Sequence, residues 1–227
     1  MSDTSAGRVP RADRRGVYRD PYPLNSPKDA DAEEFQKLYG RWASVTPTDV
    51  ADSLADFDAP WWIAGGWAID AATGRSRDHE DIDVGMFRRD VGELVGAIAP
   101  WHVWSVGPDG LRPVTVDDEP ADSADQVWLR RDADSPWLLD VLITRDRDGL
   151  WMNKRTDAAH PLESVTWMSD GVRYLNPEIV LMFKAKAARP KDTSDVERAW
   201  PVLDESARSA PVEYLRAHHP DHPWLGL

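Results

Sequence analysis

The chain of 227 residues contains no cysteine. It therefore has no disulfide framework, no thiolate metal site and no cysteine nucleophile. It also has no apolar run near the ~18 residues that a membrane helix needs. The opening stretch MSDTSAGRVPRADRRGVYRD has no apolar segment behind its charges, which reads against a signal peptide. Together these absences make a cytoplasmic location the default expectation. Positive charge is scarce: 27 Lys and Arg stand against 40 Asp and Glu, a formal net charge of -13. Such a field repels polyanions, so nucleic acid is a poor first choice of partner. No internal repeat or low-complexity tract is evident. What remains is the composition of a soluble globular protein, 41% hydrophobic and 30% charged, with room for one large domain or a compact domain with a small appendage.

The acidity is local. Residues 46–90 hold ten acids against four bases, and residues 109–140 hold nine against three. A concentrated acidic region suits divalent cations or a cationic substrate, although a solvated acidic surface accounts for the same count. Residues 1–28 go the other way, with six bases and three acids. They lack periodicity and read as a flexible arm. Beyond the arm, the pattern predicts an α+β core over 29–170 and a helical C-terminal subdomain over 171–227.

Helical spacing of Phe35, Leu38, Tyr39 and Trp42 predicts a helix over 31–45, and Thr48 is a candidate cap for a second one. Trp61 to Ala64 is a short apolar run ended by Gly65-Gly66, with a helix expected over 67–72. Strands are expected over 80–87, 101–106, 126–131 and 137–144, with shorter ones near 150–154 and 172–175, and a helix over 90–99. Residues 117–125 read as a loop. Asn176 as a cap, Pro177 at the first helical position and Glu178 in the first turn mark a helix start. That helix is expected to reach Ala188 and break at Pro190, with further helices over 193–203 and 210–218.

Chemistry concentrates where Gly65-Gly66-Trp67 is followed by Glu80-Asp81-Ile82-Asp83-Val84. In a strand, Asp81 and Asp83 project from one face with Cα atoms ~6–7 Å apart. Two adjacent anions are costly unless a cation lies between them, and oxygen donors favour Mg²⁺ or Mn²⁺ over zinc. The bland alternative is a solvent-facing Asp beside a buried Ile82. A glycine pair that ends a strand and opens a helix lets backbone N–H groups approach a phosphate closely. An ordinary tight turn would use the same residues. A third carboxylate is needed to hold two metals and deprotonate an attacking hydroxyl. Asp140 is the candidate, being the only acid in the apolar run 137–143; a salt bridge to Arg130 or Arg131 is the alternative use.

Gly65-Gly66-Trp67-Ala68-Ile69-Asp70, then His79-Glu80-Asp81-Ile82-Asp83-Val84, then Phe87-Arg88-Arg89-Asp90 resembles the DNA-polymerase-beta-like nucleotidyltransferase superfamily. Within it the sequence is most similar to the aminoglycoside 2''-adenylyltransferase and lincosamide nucleotidyltransferase group. The resemblance extends over roughly residues 33–227, through Tyr174-Leu175-Asn176-Pro177-Glu178, Lys184-Ala185-Lys186 and Arg189-Pro190-Lys191-Asp192. It implies a mixed twisted sheet with helices and transfer of a nucleoside monophosphate, AMP from ATP in the first instance, to a hydroxyl with release of pyrophosphate. Asp81, Asp83 and Asp140 then match the carboxylates that hold two Mg²⁺ ions and serve the acceptor hydroxyl. Trp67 is a departure, since the wider superfamily usually has Ser after the glycine. Phosphate contacts would fall to backbone amides and cations, among which Lys184 and Lys191 match the C-terminal pattern. His79, two residues before Asp81, is placed to reach the nucleotide.

The acceptor this implies is a small hydroxylated molecule, an aminoglycoside or lincosamide, with the acidic region suited to a cationic one. Two other classes share the signature: a toxin or regulator that modifies tRNA or protein, which the net charge opposes for tRNA, and a non-catalytic nucleotide-binding protein, which three retained carboxylates oppose. A two-carboxylate glycosidase explains neither the glycine turn nor the third acid. Oligomeric state leaves no mark in the sequence.

Overall fold

The computed structural model describes residues 37–108, 110–117, 120 and 122–227. The arm over 1–28 and the first part of the helix expected over 31–45 lie outside the described residues. In chain order the elements are α1 (Pro47–Ser53), β1 (Trp61–Ile63), α2 (Gly65–Thr73), β2 (Asp83–Phe87), α3 (Val91–Ala97), β3 (His102–Gly107), β4 (Gly110–Val114), β5 (Gln126–Arg130) and β6 (Leu139–Thr144). They continue with β7 (Asp146–Arg147), β8 (Leu150–Met152), β9 (Ala159–His160), α4 (Leu162–Val165), β10 (Thr166–Ser169), β11 (Val172–Leu175), α5 (Pro177–Ala185), α6 (Pro190–Ala199) and α7 (Glu205–His218). The class is α+β with mixed strand pairing, as expected. The described residues form two compact units: one takes those from Lys37 to Pro60 with those of 80–143, the other Trp61–His79 with Thr144–Leu227. Among the described residues, no helix is long and apolar enough to cross a membrane.

In the first unit the strands run in the order β2-β6-β5-β3-β4, and β6-β5, β5-β3 and β3-β4 pair antiparallel. Val127, Leu129, Leu139 and Val141 alternate into the core on the central strands. On β5 the other parity carries Gln126, Trp128 and Arg130. Trp104 pairs with Trp128, and Trp128 with Asp140. Tyr39, Trp104, Trp128 and Trp137 form an aromatic core cluster, in which Trp128 and Trp137 meet edge to face at 5.5 Å. Burial of rings this large supplies much of the unit's hydrophobic stabilisation. The Trp137 indole N–H donates to the Tyr39 carbonyl at 2.6 Å, and the Arg130 guanidinium lies 4.5 Å from the Trp137 ring centroid. β4 was not foreseen because Gly110 and Pro113 punctuate it. As the edge strand of this order it tolerates a proline that cannot donate to the ladder.

Helix α1 starts two residues earlier than Thr48 predicted. Thr46 caps it, accepting from the Asp49 N–H at 3.3 Å while the Asp49 carboxylate accepts from the Thr46 N–H at 2.8 Å. Pro47 occupies the first helical position. Counted from Thr46, the third helical residue is Asp49, which closes the capping box; counted from Thr48 it would be Ala51, which has no acceptor.

In the second unit β11 lies between β10 and β1, antiparallel to the former and parallel to the latter. Strands β7, β8 and β9 make a separate small antiparallel sheet. Helix α2 follows β1 after a single residue, and its C-terminus is closed by Gly74 in the left-handed conformation. Asn176 holds the cap position of α5, yet its side chain does not cap; its amide donates to the Ser164 carbonyl and to Glu178. Helix α5 stops at Ala185, before the expected Ala188. Pro190, expected as a breaker, is the first residue of α6, because proline lacks only an N–H that no helix start can satisfy internally. Helix α7 begins five residues before the expected start, where the Asp204 carboxylate accepts from the Ala207 N–H at 2.8 Å.

Candidate active site

The three carboxylates singled out in the sequence all belong to the first unit. Ile82 is fully buried, while Asp81 and Asp83 on either side of it are half-buried, as alternation requires. Strand β2 begins only at Asp83, so Asp81 lies on the segment leading into it. Asp140 sits on the adjacent strand, its backbone N–H donating to the Ile82 carbonyl at 3.1 Å. Asp140 is 6% exposed. Its Oδ2 accepts from the Gln126 amide at 2.7 Å, a diagonal neighbour across the β5–β6 pair. Gln126 was not anticipated; its place two residues before Trp128, on the parity that faces Asp140, is the signal that marks it.

Among the described residues, no group of three or more His, Asp or Glu side chains is gathered closely enough to hold a metal ion. The donor chemistry nonetheless fits the Mg²⁺ that the resemblance implies. Asp81, Asp83 and Asp140 offer oxygen ligands only, and Mg²⁺ is ordinarily held by one or two carboxylates, substrate phosphates and water.

In the second unit the two glycines have different reasons to be glycine. Gly65 has φ +59°, a left-handed conformation that strains any other residue. Gly66 is buried against two side chains: a Cβ there would run into the Arg77 guanidinium and lie 2.6 Å from His79 Cε1. The close approach read as room for a phosphate is thus occupied, on that face of Gly66, by Arg77 and His79. The Trp67 indole stacks on the His79 ring, centroids 4.4 Å apart and planes 23° apart. His79 Nε2 lies 2.7 Å from Asp70 Oδ2. Burial pushes the imidazole pKa down and the Arg77 charge adds to this, against the opposing pull of Asp70. A carboxylate oxygen only accepts, so Nε2 carries a proton and donates to Asp70.

Behind these residues is an ion cluster built on acids that the sequence reading did not single out. Asp195, fully buried, accepts from Arg77 Nε at 3.0 Å and Nη2 at 3.2 Å, from Arg198 Nη2 at 2.6 Å, and pairs with Lys184 Nζ at 2.9 Å. Asp70 accepts from Arg198 Nη1 at 2.7 Å and the Arg77 N–H at 3.0 Å. Asp192, also fully buried, takes Lys184 Nζ at 3.1 Å and Arg189 Nε at 2.9 Å. Burial by itself would raise the Asp195 carboxyl; hydrogen bonds from Arg77, Lys184 and Arg198, with the Lys184 charge, outweigh it and bring the pKa to about 2. Asp70 and Asp192 are lowered by the same balance. Lys184, expected at a phosphate, is thus held between two carboxylates on α6. Lys191 lies on α6 and Lys184 on α5, so the seven-residue spacing spans two helices. A signal for the missed acids existed: Asp192, Asp195, Val196 and Ala199 recur at helical spacing and form the buried face of α6.

These residues meet their relatives in one segment. Residues 48–122 match the family model for aminoglycoside-2''-adenylyltransferase. The resemblance read from the sequence is met there, and the relatives are nucleotidyltransferases that act on antibiotics. The matched segment contains Gly65, Gly66, Trp67, His79, Asp81 and Asp83, while Asp140, Lys184 and Lys191 lie beyond it. A comparison with curated proteins returns no match. Among solved structures, the antibiotic-resistance factor ANT(2'')-Ia in solution is 20% identical over 75% of this chain and 89% of its own, with a TM-score of 0.48. The crystal structure of ANT(2'')-Ia with adenylyl-2''-tobramycin is 20% identical over 74% and 94%, also at 0.48. The lincosamide antibiotic adenylyltransferase LnuA, bound to lincomycin, is 13% identical over 72% and 99%, at 0.49.

Proposed function

We propose that this protein is a Mg²⁺-dependent nucleotidyltransferase that moves AMP from ATP to a hydroxyl of a small aminoglycoside- or lincosamide-type antibiotic, releases pyrophosphate, and acts in the cytoplasm as a resistance enzyme. The observation that carries the reading is that the family match at 48–122 contains both the glycine-opened helix and the Asp81-Ile82-Asp83 pair. In this proposal Asp81, Asp83 and Asp140 hold the metal, which when bound neutralises charge on the triphosphate. Asp140 takes the proton from the acceptor hydroxyl, whose oxygen forms a bond to the α-phosphorus. The bond between that phosphorus and the bridging oxygen breaks, and pyrophosphate leaves with the electron pair. Gly65, Gly66, Trp67 and His79 border the nucleotide, with Lys184 and Lys191 supplying positive charge. The core over 29–170 carries the chemistry and 171–227 supports it. The local acid excess favours a cationic acceptor.

The test is pyrophosphate release with Mg²⁺ and each of the four NTPs against a panel of aminoglycosides and lincosamides, with products weighed by mass spectrometry. A product heavier by one AMP, formed with ATP, is expected. Tight Mg²⁺-dependent NTP binding with no product from any small acceptor would overturn the acceptor class and turn the search to tRNA or protein.

A further inference from the structure

Gly66 has no room for a side chain because Arg77 and His79 rest on its Cα. Neither of these rests there by itself. Arg77 is gripped through two nitrogens by Asp195, and its own N–H is fixed by Asp70. His79 is held at 2.7 Å by the same Asp70. Arg198 ties the two acids together, one nitrogen on Asp70 Oδ1 and another on Asp195 Oδ1, each within 2.7 Å. It also donates to the Arg75 carbonyl at 2.7 Å, holding the loop that carries Arg77. Asp195 further fixes Lys184. A buried carboxylate with three cationic partners cannot move without leaving charges unpaired in a dry interior, so the arrangement is stiff.

From this geometry we infer that Asp195 and Asp70, linked by Arg198, are positioning residues for the nucleotide-binding turn. Acting through Arg77 and His79, they set where the Gly65–Gly66 turn and its backbone N–H groups sit, and through Asp195 they set the place of Lys184. The inference rests on the nucleotidyltransferase reading, since it gives that turn a triphosphate to meet. These acids touch no reacting atom in this scheme. Their loss should weaken nucleotide binding far more than it slows the chemical step, the signature of a group that shapes the binding surface.

The experiment is steady-state kinetics on the full chain with Asp195→Asn, Arg198→Lys and, as a control for stability alone, Leu215→Ala on α7, where Leu215 is buried. Losing one charge-assisted contact in the cluster is expected to raise KM for the Mg²⁺-nucleotide about tenfold, with kcat changed by less than about threefold. Leu215→Ala should lower Tm and leave KM in place. Arg198→Lys keeps the positive charge but cannot span both carboxylates, and it carries the test if Asp195→Asn does not fold. Unchanged KM in the folded variants, or an equal rise in Leu215→Ala, would show the cluster to be structural only and overturn the inference. A wild-type protein that neither binds nor turns over any NTP would instead overturn the nucleotidyltransferase reading itself.

Discussion

The two units hold their carboxylates in different surroundings. Asp192 and Asp195 in the second unit each meet two or more charged donors, Asp70 meets Arg198 and His79, and all three have depressed pKa values. In the first unit, Asp140 is as buried as Asp70 but receives a neutral amide from Gln126, while Asp81 and Asp83 flank the buried Ile82 at half exposure. All six count equally toward the net charge, yet their surroundings ask different things of them. A carboxylate set between guanidinium and ammonium groups fixes the segments that carry them.

The largest effect should come from the first unit's pair. Asp81→Asn or Asp83→Asn should cut pyrophosphate release by about a thousandfold or more, as losses of transition-state charge stabilisation do, with Tm close to wild type. An active double variant would remove these residues from the chemistry. Next is Asp195→Ala, which leaves Arg77, Lys184 and Arg198 without their shared counter-ion. A loss of roughly 3–5 kcal/mol is expected for breaking a buried pair, read from urea midpoints. Gly66→Ala forces Arg77 and His79 off the helix start and should cost about 1–3 kcal/mol, the range for overpacking.

Acid provides a gentler way to sharpen the contrast. The folded pKa of Asp195 is about 2, below the ordinary 3.8. Its stabilisation is therefore present above the ordinary value and is lost as pH falls from there through about 2. Asp70 and Asp192 are shifted in the same direction and contribute with the same sign. Urea midpoints measured from pH 6 down to pH 2 should fall for the wild type, with a shallower slope for Asp195→Asn. Equal slopes would mean that Asp195 is not held as an anion below its ordinary range. The smallest effect is expected for Gln126→Leu. Removing one neutral amide from Asp140 should cost about 1–3 kcal/mol of stability or less while leaving the carboxylate in place.

Much of the architecture was legible because its signals are local. The apolar run before Gly65-Gly66, the alternation around Ile82 and the cap-and-proline start at Asn176-Pro177 each announce an element within a few residues. Where expectation and structure part, the deciding partner lies just beyond the pattern used. Asp49 moved the first cap back to Thr46, and Asp204 started α7 early. The buried acids of α6 were hidden because Arg77 and Lys184 reach them from the 75–79 loop and from α5, although Arg189 and Arg198 stand only three residues from Asp192 and Asp195.

By itself the sequence determined the α+β class, the parity that leaves Asp81 and Asp83 on either side of a buried Ile82, and the likeness to antibiotic nucleotidyltransferases. These follow from period, turn chemistry and motif, all short-range properties of a chain. Only the tertiary structure decided which charges are spent on one another. It assigned Lys184 to Asp192 and Asp195, filled one face of Gly66 with Arg77 and His79, and gave Asp140 the amide of Gln126. Ion pairing in a dry interior depends on distance and desolvation, and those are settled only when distant segments meet.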